Sequence, residues 1–380
     1  MPVASPQGNY LDRMRKVDPT VICINEAAKR AVRELHIGIV NMMPDAALKK
    51  TETQFTLPLH YASSGLQIIP HFIALDGIER SEEHQKYVDE NYITFDQAKA
   101  EGMDGLIVTG ANVAGSDLSQ QKFYDPLKEV VAWAESDEGP TSTLYSCLAS
   151  HAYMLMQHNE QRTPLNEKRW GVFEHKVRNE HHPLTHGMDT AFDIPHSRWN
   201  EITEDQFARH NMPVLVASKD AGVHMATSPD GLRAIFWQGH PEYNTNTLLG
   251  EMQRDLGICA DVRATAKPEP LTPIPHNYLH GTALDLVEKF RQKVATGEYH
   301  DPQNKGNLPP EDYIEVVENT QNRWSSSKRA LLSNWIAAIL DKTNEERGKP
   351  FMDGVNQDDV FDLHPTDYAD SPEQESMEIT

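Results

Sequence analysis

An α/β fold with a mostly parallel sheet flanked by helices is what this sequence predicts, and two observations carry it. Short apolar runs of strand length recur from "LHIGIVNMM" (35–43) to "AIFWQGH" (234–240), and helix-length stretches separate them. Strands alternating with helices are the signature of parallel strands joined by crossovers. The 380 residues suffice for one large domain or two medium ones, and there is no internal repeat.

The elements follow in order. Residues 1–33 are mixed in character and form an N-terminal arm, ahead of an α/β domain over 34–258. "LHIGIVNMM" reads as a buried strand, and 45–62 as a helix with Leu48, Phe55 and Leu59 on its apolar side. "LQIIPHFIAL" (66–75) reads as a second strand that Pro70 confines to an edge or breaks. "DGLIVTG" (104–110) is a strand ending in glycine, followed by a loop and a helix near 123–136. "STLYS" (142–146) leads into a helix near 148–157. "PVLVASKDAGVHMATSPDGLRAIFWQGH" gives strands joined by a turn at Pro229-Asp230-Gly231, then a helix near 245–256. Beyond 258 the composition changes: "TAKPEPLTPIPH" is a proline-rich connection, and 281–296 and 327–343 are helical, making 259–343 a mainly helical C-terminal extension. From Asn344 to residue 380, eleven acidic residues stand against two basic ones with little periodicity, which predicts a disordered, solvated tail.

Composition narrows the function. With 38% hydrophobic and 24% charged residues the chain is an ordinary soluble globular protein. No apolar run reaches the roughly 20 residues that cross a bilayer, and "MPVASPQGNYLDRMRKV" has no signal-peptide core. Cys23, Cys147 and Cys259 show no paired spacing, as expected of a reduced, cytoplasmic setting. A net charge of −22 argues against non-specific binding to nucleic acid or to anionic membrane.

Strand, cysteine, helix is the geometry of a nucleophile elbow. In "STLYSCLASH" it exposes Cys147 at a sheet's carboxyl edge and at a helix N-terminus, whose partial positive charge favours the thiolate. The backbone N–H of Leu148 is placed to stabilise an oxyanion. The usual flanking glycines are missing, and the elbow by itself leaves a packed thiol and a nucleophile both open. The second element is "FWQGHPEYN" at the end of another strand. His240 and Glu242, two apart, project to one side in an extended segment, as a general base and the carboxylate that orients it. Cysteine followed by His-Pro-Glu about 90 residues later, both at strand ends, points to Cys147 as a nucleophile. His175, His181, His182, His186 and His196 crowd one stretch, but with no H-x-x-x-H pair on a helix and no cysteine partner no metal is expected.

Seven blocks, in order, resemble the homoserine O-acyltransferases of the homoserine O-succinyltransferase type, within the class I glutamine amidotransferase-like superfamily. They are "NMMPDAALKKTETQF", "DGLIVTGANVA", "TSTLYSCLASHA", "EKRWGVFEH", "PHSRW", "GHPEYNTNTLLGEMQRDL" and "LLSNW". The resemblance implies a flavodoxin-like sheet and a ping-pong reaction in methionine biosynthesis. Acyl-CoA, a co-substrate and not a bound cofactor, acylates Cys147, with His240 as base and Glu242 as its partner. The hydroxyl of L-homoserine then takes the acyl group. Lys168, Ser197, Arg198 and Arg254 fall where the family has substrate-pocket residues, and Arg254 suits the amino-acid carboxylate because a guanidinium forks onto two oxygens. A homodimer is also implied. Two departures stand out. "MPDAALKKTETQF" is longer by about two residues than its equivalent, which leaves Lys49 and Lys50 as alternatives for the family's lysine. The residue aligned with Ala114 helps choose the donor, glutamate going with acetyl and glycine with succinyl; alanine leaves room for succinyl. The stretch 259–325 is also unlike the family's. A glutamine amidotransferase-like hydrolase on the same triad, or a non-catalytic relative, are the alternatives.

Overall fold

The computed structural model describes residues 4–5, 9–18, 21–23, 33–62, 66–113, 115, 117–263, 272–299, 306–346 and 349–362. The chain opens with β1 (Ala4–Ser5), α1 (Asn9–Val17) and β2 (Ile22–Cys23). Then come β3 (Glu34–Val40), α2 (Asp45–Ala62), β4 (Gln67–Ile73), α3 (Glu82–Asn91), α4 (Phe95–Glu101), β5 (Gly105–Val108), α5 (Tyr124–Ala134), β6 (Ser142–Ser146) and α6 (Leu148–His158). A long ribbon follows, β7 (Thr163–Val177) and β8 (Ala191–Glu201), then α7 (Glu204–Ala208), β9 (Val214–Ser218), β10 (Gly222–Thr227) and β11 (Ala234–Trp237). The last helices are α8 (Thr247–Arg263), α9 (Gly281–Thr296), α10 (Pro310–Glu318) and α11 (Ser325–Lys342).

Among the described residues a nine-stranded sheet runs β4-β3-β5-β6-β11-β10-β9-β7-β8. The first five strands pair in parallel. From β11 onward every pairing is antiparallel. The expected α/β class therefore holds, with the parallel portion confined to one half. Pro70 sits on the outermost strand β4, where a residue without an N–H costs the ladder least.

Alternation along the strands builds two cores. Ile37, Ile39, Ile107, Leu144, Ile235 and Trp237 face one side, where Phe55 and Leu59 of α2 and Leu331, Trp335 and Ile339 of α11 cover them. Leu106, Val108, Tyr145 and Phe236 face the other, under α5 and α6. A third cluster joins Trp170 and Val172 of β7 to α8, α9 and α10.

Among the described residues, both the N-terminal helix and the segment after α11 pack onto the rest of the fold. Tyr10, Leu11 and Met14 of α1 belong to the first core, and the Arg13 guanidinium pairs with the buried Glu52 carboxylate. α11 lies on the sheet itself, with Trp335 Nε1 donating to Ser142 Oγ at 2.8 Å. Order continues past Asn344: Phe351 and Val360 are buried in the first core. The rest of the expected tail, 363–380, lies outside the described residues.

β7 and β8 have no counterpart in the strand pattern expected from sequence. Their periodicity is hidden because the inward positions of β8 are Phe192, Ile194, His196, Arg198 and Asn200, of which three are polar yet buried. β7 begins with an irregular, polar stretch between Pro164 and Arg169.

Candidate active site

Cys147 sits at φ 52°, ψ −112°, between β6 and α6. A side chain in this region is strained by roughly 1–3 kcal/mol and persists only where its surroundings enforce it. Here the Cys147 N–H donates to the Trp237 carbonyl of β11, and its own carbonyl accepts from the Ser150 N–H and hydroxyl. Room for the turn comes from across the sheet edge: a methyl group at Gly110 would lie 3.3 Å from the Cys147 Cβ. The elbow thus forms without flanking glycines, its space provided by the glycine after β5.

β6 and β11 are parallel neighbours with Ser146 in register with Trp237, so whatever follows their carboxyl ends meets. His240 is delivered there. Its N–H donates to the Pro195 carbonyl of β8 at 2.8 Å, and its ring stacks on Tyr243 at 4.4 Å between centroids. Nδ1 lies 2.7 Å from Glu242 Oε1. Burial acts to lower the imidazole pKa, but the Glu242 carboxylate and the adjacent Cys147 sulfur, with a hydrogen bond to each, outweigh it. The net result is well above the ordinary value. The arrangement can take a proton from the thiol and keep it.

A cavity of about 470 Å3 opens on Cys147, His240 and Glu242. Five residues of α8 line it, Thr247, Gly250, Glu251, Arg254 and Asp255, spaced to share one helix face. Lys168 and Ser197 line it from the β7–β8 ribbon. Lys50 reaches it from α2, whereas Lys49 lies over the Tyr87 ring, its Nζ 4.4 Å from the centroid.

Glu251 is the hub of the polar wall. Its carboxylate accepts from Ser197 Oγ at 2.6 Å, Tyr243 OH at 2.8 Å and Trp170 Nε1 at 2.9 Å, with Lys168 Nζ at 3.6 Å. Sequence reasoning passed over it, although it stands one turn before Arg254 on the same face. Arg254 is half-exposed at the cavity and donates to Asp255 Oδ1. Arg198 goes elsewhere. Its guanidinium is buried and bonded to the carbonyls of Asn200 and Ala221 and to Glu201 and His196, and it lines a smaller pocket behind Cys147, as does Leu148. Ala114 lies outside the described residues.

Of the five crowded histidines, His181 and His186 are exposed, while His175 and His196 contact each other at 3.1 Å beside His224. Among the described residues no group of three or more His, Cys, Asp or Glu side chains is arranged to hold a metal ion.

Comparison with known proteins adds the following. A homoserine O-succinyltransferase family profile matches residues 4–345. A homoserine O-succinyltransferase of Methylobacter tundripaludum is 40% identical over 92% of this chain and 96% of its own length. Another, from Thiobacillus denitrificans, is 40% identical over 93% and 96%. Among solved structures, a glutamine amidotransferase from Thermotoga maritima superposes with a TM-score of 0.41 at 11% identity, over 82% of this chain and all of that one.

Proposed function

The chain belongs to the homoserine O-succinyltransferase family, a family of acyltransferases, and from that premise we propose that it moves a succinyl group from succinyl-CoA to the hydroxyl of L-homoserine through a thioester on Cys147. The observation that carries this reading is the run Cys147, His240, Glu242 at the wall of a cavity that also holds Lys50, Lys168 and Arg254 beside Glu251 and Asp255.

In the first half-reaction His240 takes the thiol proton and the Cys147 sulfur attacks the thioester carbonyl. The C–S bond to CoA breaks as the tetrahedral oxyanion collapses, and the imidazolium can return its proton to the departing CoA thiolate. The Leu148 N–H, in the first turn of α6, suits that oxyanion. In the second half His240 removes the proton from the homoserine hydroxyl, the alkoxide oxygen attacks the acyl-cysteine, and the Cys147 sulfur leaves and is reprotonated. Splitting the transfer this way replaces one difficult step by two easier ones.

Homoserine is a zwitterion, and the α8 face offers both complements. Arg254 suits its carboxylate and Glu251 its ammonium. Lys168 and Ser197 hold Glu251 in place, and Lys50 is the lysine of the 49–50 pair that reaches the donor and acceptor space. We place the enzyme in methionine biosynthesis in the cytoplasm, as a homodimer whose mass light scattering on the purified chain would give.

A steady-state panel of succinyl-CoA and acetyl-CoA against homoserine and serine tests the reading. The highest kcat/KM is expected for succinyl-CoA with homoserine. Release of no CoA from any pair, or glutamine hydrolysis in its place, would overturn it.

A further inference from the structure

Cys147 lines two cavities. Besides the large one it borders a pocket of about 60 Å3 walled by Val113, Leu148, His151, Arg162, Arg198 and Trp199. We propose that this small pocket seats the terminal carboxylate of the donor's acyl group, with Arg162 as its cation; the inference rests on the succinyl donor proposed above and names the residue that selects it.

Size divides the work between the two spaces. The large cavity has to hold the CoA arm in one half-reaction and the amino acid in the other. The acyl group sits on the sulfur from the departure of CoA to the attack of the amino acid, so its far end needs a place that neither visitor occupies. The small pocket has room for about two waters, the scale of a carboxylate, and is far too small for CoA.

Charge points the same way. Arg162 is 5% exposed and close enough to Cys147 for the two to interact electrostatically. Its Nη2 donates to the carbonyls of Val113, at 3.0 Å, and Gly115, which flank position 114 and hold the guanidinium against that loop. Arg198, on the same wall, is committed to its own partners and adds positive potential. A guanidinium's planar fork matches a carboxylate better than any other side chain does.

His151 is an independent mark that a polar group arrives here. Gln238 is oriented by donating to the Ile202 and Val223 carbonyls and accepting from the Ile202 N–H at 2.7 Å. Its oxygen also meets His151 Nε2 at 3.1 Å, so Nε2 carries the proton and Nδ1 is a bare acceptor. Burial pushes the ring's pKa down to about 3, which keeps it neutral. Nδ1 is buried and has no hydrogen-bond partner among the described residues. Buried polar atoms are almost always satisfied, and a water shared with a bound carboxylate would give Nδ1 its donor.

The test compares succinyl-CoA with butyryl-CoA, which has the same four-carbon chain ending in a methyl group, at saturating homoserine. In Arg162→Gln the ratio of kcat/KM for succinyl-CoA to that for butyryl-CoA is expected to fall roughly tenfold or more, the loss of one charge-assisted hydrogen bond to a carboxylate. Arg162→Lys should recover most of the ratio, and Lys50→Met should not lower it. A ratio unchanged in Arg162→Gln overturns the proposal, whether both donors slow, as for a mere loop fastener, or neither does. So does a fall that appears in Lys50→Met instead. A wild-type enzyme that releases CoA from neither donor fails the acyl-transfer reading itself, a result distinct from an unmoved ratio.

Discussion

The two halves of the sheet contribute different things to one site. The parallel half, β4-β3-β5-β6-β11, ends in Gly110, Cys147 and His240, so the proposed nucleophile and base come from adjacent carboxyl ends, where open α/β sheets place their ligands. The antiparallel half supplies walls and supports: Lys168 and Ser197 at the cavity, and the Pro195 carbonyl that holds the His240 backbone. In the proposed reading the chemistry follows from strand order, whereas the ribbon adds Lys168 and Ser197 to a binding wall built mainly by α8.

That division can be broken by mutation, and the largest effects belong to the parallel half. Cys147→Ala should lower kcat by roughly 10^3-fold or more, as loss of a nucleophile does, with little change in melting temperature. Glu242→Gln should lower kcat by roughly 10^2-fold. It should also bring the His240 titration, followed by NMR, down from its raised value toward the ordinary range, because the carboxylate that holds the proton is gone. If kcat falls and the titration does not move, Glu242 acts through something other than His240.

Mutations in the antiparallel half should act on binding. Lys168→Met should raise the KM for homoserine roughly tenfold, the scale of one ion pair at a half-buried site, with the rate of Cys147 acylation retained in rapid-quench experiments. Slow acylation in this variant would erase the distinction between the halves.

The halves should also differ in acid. Burial holds His175 down to about 4 and pushes His196 and His224 well below the ordinary value. An unfolded histidine binds its proton near pH 6.5, so between about 6.5 and 4 the unfolded state carries more protons and stability falls with falling pH. The slope is about 1.4 kcal/mol per pH unit for each such group. Amide exchange should therefore accelerate in β7 and β8 from about pH 6.5 downward, ahead of β5. Uniform acceleration over both halves would contradict this.

The same boundary separates what could be read in the sequence from what could not. α2 and α9 run over the residues their apolar spacing indicates, and Pro70 marks an edge strand. The convergence of Cys147, His240 and Glu242 was legible because each follows a short apolar strand, and strand ends converge in a parallel sheet. β8 was not, because His196, Arg198 and Asn200 occupy its inward positions and erase the alternation. Lys49 and Lys50 are neighbours on a helix, and only packing tells that one covers Tyr87 while the other faces the cavity. Glu251 was missed for a different reason: a carboxylate among basic candidates looks like a surface partner until its bonds to Ser197, Trp170 and Tyr243 are seen together. Phe351 and Val360 stand in short apolar pairs, Phe351-Met352 and Val360-Phe361, within an acidic stretch, with no periodicity to announce that they are buried.

The claim on which all of this depends is that Cys147 carries the acyl group between the two substrates. Intact-protein and peptide mass spectrometry after mixing the enzyme with succinyl-CoA alone tests it directly. One succinyl group on Cys147, discharged when homoserine is added, is the result expected. Product formation at full rate with Cys147 never acylated would contradict it.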